Sequence, residues 1–118
     1  MGKLTTHVLD TAHGCPGKGI RVRLFVTGKD GKEKLLASAA TNADGRCDAP
    51  LLADKTMVVG KYRLEFAAGD YFRARGVKLP EVAFLDVISI DFGISDAGAH
   101  YHVPLLVSPY GYSTYRGS

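Results

Sequence analysis

A chain of 118 residues is long enough to bury one hydrophobic core and too short for two independent ones. Its hydrophobic share of 46% and charged share of 23% match a folded globular domain and argue against disorder, and no stretch approaches the ~18 consecutive apolar residues of a membrane-spanning helix. The net charge of +3 comes from fifteen Lys and Arg scattered along the chain, which speaks against a nucleic-acid-binding face.

The N-terminus, MGKLTTHVLD, lacks an apolar export segment, so residues 1–118 are expected to form one cytoplasmic domain with no membrane or nucleic-acid partner. LTTHVLD reads as a first, short strand. A turn region follows with Gly14, Pro16, Gly17 and Gly19, and then IRVRLFV alternates with period two. Ile20, Val22, Leu24 and Val26 point one way and Arg21 and Arg23 the other, as in a half-buried strand. Asp30-Gly31 and Asp44-Gly45 mark tight turns, where glycine supplies a positive φ. YRLEF repeats the alternation with Tyr62, Leu64 and Phe66 against Arg63 and Glu65.

GDYFRARG is the one predicted helix, with Gly76 as its stop. VAFLDVISI reads as a further strand, and the segment from Gly93 to Gly98 as a flexible loop leading into HYHVPLL. Many short strands separated by turns indicate an antiparallel sandwich or barrel. Cys15 and Cys47 have neither CxxC spacing nor a zinc-type histidine pattern and read as reduced thiols.

Candidate chemistry gathers late in the chain. His100 and His102 share one strand face with Pro104 and Leu106, while Tyr101, Val103, Leu105 and Val107 form the apolar face that suits a core. Pro104 cannot donate to a ladder and predicts a local interruption of the sheet. Pattern alone leaves the histidine pair open as catalytic, incidental, or half of a metal site. His7 shares its face with Thr5 and Leu9, and reads equally as a third partner or as a satisfied, half-buried imidazole. Arg46, after the Asp44-Gly45 turn, reads as a solvated or a binding arginine. By composition the ending PYGYSTYRGS is an aromatic edge strand with a frayed end.

The motifs LTTHVLD, GCPGKGIRVRL, NADGR, GDYF, HYHVPLLVSPYGYSTY and the terminal YRGS, in this order and nearly end to end, resemble the 5-hydroxyisourate hydrolases, transthyretin-related enzymes of the urate pathway. The resemblance implies a mainly β, transthyretin-like antiparallel sandwich of two four-stranded sheets with one short helix. It also implies a homotetramer whose central channel holds the sites. It assigns catalysis to His7, Arg46 and His102 and substrate binding to Tyr115, Arg116, Gly117 and Ser118, with His100 in a secondary place nearer the channel mouth. The implied reaction opens the N1–C6 amide bond of 5-hydroxyisourate to give 2-oxo-4-hydroxy-4-carboxy-5-ureidoimidazoline, without cofactor or metal. Transthyretin itself is similar but looks to carry lysine, glutamate and threonine in place of His7, Arg46 and His102, and it lacks YRGS.

Overall fold

A computed structural model describes residues 2–117. In chain order the strands are β1 (Lys3–Asp10), β2 (Cys15–Pro16), β3 (Arg21–Thr27), β4 (Glu33–Ala40), β5 (Leu52–Ala53) and β6 (Gly60–Ala67). The helix α1 (Ala68–Ala74) follows, then β7 (Val87–Ile94), β8 (His100–Ser108) and β9 (Gly111–Thr114). One sheet runs β2-β1-β8-β9, with β5 pairing the free part of β1; the other runs β4-β3-β6-β7. This is the expected mainly β sandwich of two sheets with one short helix, but the first sheet gains a fifth, two-residue strand. One pair, β1 with β8, is parallel rather than antiparallel. A parallel pair cannot be joined by a hairpin, and here the chain builds the whole second sheet between the two partners.

Period-two alternation holds where both faces of a strand differ. Leu4, Thr6, Val8 and Asp10 of β1 are buried, as are Val22 and Leu24 of β3, Tyr62, Leu64 and Phe66 of β6, and Tyr101, Val103, Leu105 and Val107 of β8. These side chains interdigitate between the sheets as one core. The segment VAFLDVISI becomes a strand only from Val87. Val82 and Phe84 are 87% and 72% exposed, and the residues before β7 anchor α1 instead. Gly69 N donates to Asp86 O at 2.8 Å, and Arg73 donates to the carbonyls of Pro80 and Glu81. Nor is the Gly93–Gly98 stretch a loose loop, because Gly93 and Ile94 belong to β7. The turn after them is held by the Tyr101 hydroxyl, which accepts from Ser95 N and Asp96 N at 3.0 and 3.1 Å.

The interruption expected at Pro104 is one-sided. β8 runs straight through it on the β1 side, where Pro104 lies opposite His7. On the other side, β9 pairing ends at Leu105↔Thr114 and contact resumes only at the His102↔Gly117 bridge. The alternate residues His102 and Pro104 turn their carbonyls to that side, accepting from Gly117 N and Thr114 Oγ1. A missing N–H at Pro104 leaves the ladder nothing to continue with there.

The one buried side-chain carboxylate among the described residues, Asp10, lies at the end of β1. It accepts from the Tyr71 hydroxyl (2.6 Å), His13 N (3.0 Å) and His13 Nδ1 (2.7 Å), tying β1 to α1. Burial alone would raise its pKa, but these bonds outweigh it and hold the carboxyl below its usual 3.8, while burial and the Asp10 contact push Tyr71 up to about 12. A carboxyl depressed by folding contributes stability above its unfolded value and loses it as pH falls through the folded one. Tyr71→Phe, which removes one donor from a buried charge, is expected to cost about 1–3 kcal/mol in urea unfolding at pH 7. It should also move the acid-unfolding midpoint to higher pH; an unchanged midpoint would remove Asp10 from the acid stability of the fold.

Candidate active site

The β1–β8 register decides which side chains meet. Lys3 lies opposite His100, Thr5 opposite His102 and His7 opposite Pro104, all on the face turned away from the core. Thr5, His7 and His102 are half-buried there and His100 is exposed. The Thr5 hydroxyl sits between the two late imidazoles, 2.9 Å from His100 Nε2 and 2.8 Å from His102 Nδ1. The ring centroids are 6.3 Å apart and the rings are tilted by 60°.

Arg46 is delivered to this face by the turn before it. Asn42 Oδ1 accepts from Asp44 N at 2.9 Å and from Arg46 N at 3.2 Å, an arrangement in which the side chain mimics a backbone turn. Gly45, at φ 78°, presses its backbone on β1: Val8 N donates to Gly45 O at 2.8 Å, and a Cβ on Gly45 would collide with the Val8 carbonyl oxygen. His7 and Arg46 form an antiparallel bridge, and His7 Nε2 lies 2.9 Å from the Asp44 carbonyl. A carbonyl only accepts, so Nε2 carries the proton and Nδ1 of a neutral His7 is the acceptor.

The C-terminal segment closes the other flank. Gly117 N donates to His102 O at 2.7 Å, and a Cβ on Gly117 would come within 2.7 Å of His102 Cδ2, so any side chain there would have to displace the imidazole. Arg116 donates to His100 O at 3.2 Å, and its guanidinium carbon lies 4.0 Å from the centre of the Tyr101 ring, a cation–π contact. Tyr115 is turned elsewhere. It lines a separate cleft of about 240 Å³ with Phe92, Gly93 and Arg116. Ser118 lies outside the described residues.

These groups frame a cavity of about 330 Å³ lined by Lys3, Thr5, Arg46, Cys47, His100 and His102. A larger cavity, about 750 Å³, lies beside Lys18, Arg21, Tyr71 and Arg75 and has no imidazole in its wall; His100 and His102, side chains suited to proton exchange near neutral pH, line the smaller one. Burial, followed by the charges of Arg46, His100 and His7, holds the pKa of His102 below the ordinary 6.5, so its ring is a neutral base near pH 7. Burial and Asp48 raise the Cys47 thiol pKa, which keeps it protonated and weakly nucleophilic. Cys15 and Cys47 are unpaired. Among the described residues no group of three or more His, Cys, Asp and Glu side chains is arranged to hold a metal ion.

The predicted residues His102, His100 and Arg46 thus share one cavity. His7 stands beside it, bonded to the Arg46 turn, and Arg116 and Gly117 bond to the backbone carbonyls of His100 and His102 without lining it. Thr5, Lys3 and Cys47 complete the wall without having been singled out by the sequence. For Thr5 the signal was present, since it lies two residues from His7 on the same strand face.

Imidazoles and a guanidinium converging on the outer face of a transthyretin-like sandwich define a class of small-molecule site. The chain matches the HIUase/Transthyretin family over residues 4–117 and belongs to that family. It is 60% identical over 119 residues to a 5-hydroxyisourate hydrolase of Pseudomonas aeruginosa, covering 100% of this chain and 93% of that protein. The solved structure of Klebsiella pneumoniae 5-hydroxyisourate hydrolase superposes with a TM-score of 0.82 at 36% identity over 100% of both chains. Sea bream transthyretin in complex with thyroxine superposes with a TM-score of 0.86 at 26% identity, over 98% of this chain and 94% of that one.

An NMR titration of the imidazoles should find His102 titrating below pH 6.5. In Arg46→Ala the value should rise, because a cation that repels the imidazolium is gone. A His102 titration indifferent to that substitution would separate the two groups electrostatically.

Proposed function

We propose that the protein hydrolyses 5-hydroxyisourate at its N1–C6 amide bond, giving 2-oxo-4-hydroxy-4-carboxy-5-ureidoimidazoline. The observation that carries this reading is the meeting of a depressed-pKa imidazole, His102, with Arg46 in one cavity, in a chain 60% identical to a protein named for that reaction. Water adds its hydroxyl to C6 and its remaining proton to the departing N1. His7 and His102 together take and return these protons, His102 through a neutral ring and His7 through Nδ1. Arg46 orients the electron-rich substrate and stabilises the oxyanion that forms at C6, a role suited to its fixed fork of donors.

The family pattern gives substrate binding to Tyr115, Arg116, Gly117 and Ser118, of which Gly117 lies against the His102 ring, and His100 takes a secondary binding position. The outer faces of four copies line a common channel in a cytoplasmic homotetramer, which accommodates a Tyr115 turned from the cavity of its own protomer. No cofactor takes part in these steps. Among the described residues no helix is long and apolar enough to cross a membrane.

The test is a spectrophotometric assay of 5-hydroxyisourate generated in situ by urate oxidase. The protein should speed its decay over the spontaneous rate, His102→Ala should lose about 10²–10⁴ of that acceleration, and Arg46→Ala about 10²–10³. Binding of an aromatic ligand with no acceleration of decay would make the protein a carrier and overturn the proposal. Because neutral His102 is the active form, kcat/KM should fall as pH drops through a midpoint below 6.5. Gly117→Ala, whose methyl has to push the His102 ring aside, should lower kcat on the order of 10²-fold at an unchanged thermal midpoint. Retention of full activity would mean that the ring position does not matter.

A further inference from the structure

The two adjacent threonines of β1 have different employment. Thr6 Oγ1 faces the core and donates to Val103 O at 2.7 Å, a purely structural bond. Thr5 Oγ1 faces the cavity, and its recorded partners are the two imidazoles, His100 Nε2 at 2.9 Å and His102 Nδ1 at 2.8 Å. The imidazoles emerge two residues apart on one strand, with centroids 6.3 Å apart. They are joined by a hydroxyl projecting from the neighbouring strand at the register position Thr5↔His102.

A hydroxyl has one proton and cannot donate to both rings at once. If Thr5 donates to His102 Nδ1, the proton of neutral His102 is on Nε2 and that nitrogen has no lone pair to offer. If Thr5 donates to His100 Nε2, it accepts from His102 Nδ1–H, and Nε2 of His102 is free as a base. The second arrangement also runs from the half-buried ring to the exposed one, the direction in which a proton leaves for solvent.

We infer that Thr5 is a positioning residue and proton relay: it holds the proton of resting His102 on Nδ1 and couples that ring to His100. The inference rests on His102 acting as a base in the proposed hydrolysis. The steps balance. A water O–H bond breaks as its proton bonds to His102 Nε2. The His102 Nδ1 proton passes to Thr5 Oγ1, whose own proton passes to His100 Nε2, and His100, now protonated on both nitrogens, releases a proton to solvent. His102 is left neutral with its proton on Nε2; reversal of the relay returns a proton from His100 through Thr5 to Nδ1 as the Nε2 proton passes to the departing nitrogen, which restores the resting state. Lys3 and His7 from β1, Arg46 from its turn and Cys47 next to it are the other charged or titratable groups around the pair; the Arg116 guanidinium lies over the Tyr101 ring and donates to the His100 carbonyl. The charges of Arg46, His100 and His7 disfavour a positive charge on His102, so a path that removes that charge promptly favours turnover.

Two variants separate this role from simple packing. Thr5→Val keeps the branched shape and removes the hydroxyl; Thr5→Ser keeps the hydroxyl and removes a methyl. Thr5→Val should lower kcat about 10- to 100-fold, within the range for losing the orientation of a catalytic group, with KM little changed, and should shift the acid limb of the kcat profile. Thr5→Ser should stay within about threefold of the parent. Independently of activity, ring ¹⁵N shifts should place the proton of neutral His102 on Nδ1 in the parent and in Thr5→Ser. In Thr5→Val it should move toward Nε2. A Thr5→Val protein with parental kcat and pH profile would overturn the relay, as would a parent whose neutral His102 carries its proton on Nε2. Failure of the parent itself to accelerate decay would remove the base assignment and with it the relay, while the ¹⁵N shifts would still report whether Thr5 fixes the His102 tautomer.

Discussion

The parallel pairing of β1 with β8 is the constraint on which the site depends. It runs over eight register positions, from Lys3↔His100 to Asp10↔Val107, and a sheet has only two faces. With Leu4, Thr6 and Val8 held in the core by burial, Thr5 and His7 have to project outward beside His102 and Pro104. A slip of one residue would turn the imidazoles of either strand inward. The apolar face of the sandwich therefore fixes the polar arrangement on its back, and core packing and site geometry are set by the same register.

Around that pair, short segments supply what long strands cannot. The free edge of β1 is covered in succession by β5 at Lys3 and Leu4, by the Arg46 turn at His7 and Val8, and by β2 at Leu9 and Asp10. Dividing the edge in this way protects it from pairing with foreign strands and leaves the middle position for a turn that presents an arginine. On the opposite side the missing N–H of Pro104 ends the β9 ladder, and the chain returns at Gly117 to lie against His102.

How legible this was in the sequence varies with the kind of physics involved. Strands with one wet and one dry face, such as β3, β6 and β8, declare themselves through alternation. β4 does not, because an edge strand exposed along most of its length carries no alternation, and EKLLASAA has little β-branched character to replace it. The two-residue strands β2 and β5 are too short for any period, and the parallel sense of β1 and β8 is a property of the whole chain path. In the site, the shared face of His100 and His102 follows from spacing. The convergence of His7 and Arg46 on that face was supplied by family resemblance, since residues 7, 46 and 102 are brought together only by tertiary structure. Thr5 lay in plain view on the His7 face, but a threonine acquires meaning only once its distances to two rings are known.

The span of the β1–β8 contact has a further consequence for how the protein is made. Thr5 and His102 are 97 residues apart, so the site closes a loop comprising most of the chain. The entropic cost of closing it grows only slowly with length, but contacts of this kind form late, because nothing local rewards them in advance. During synthesis the first strand has to wait, its edge towards β8 unpaired, until β8 has left the ribosome. A chain that has not yet reached β8 carries His7 and Arg46 with no imidazole pair opposite them, so the candidate site is assembled only when β8 pairs with β1.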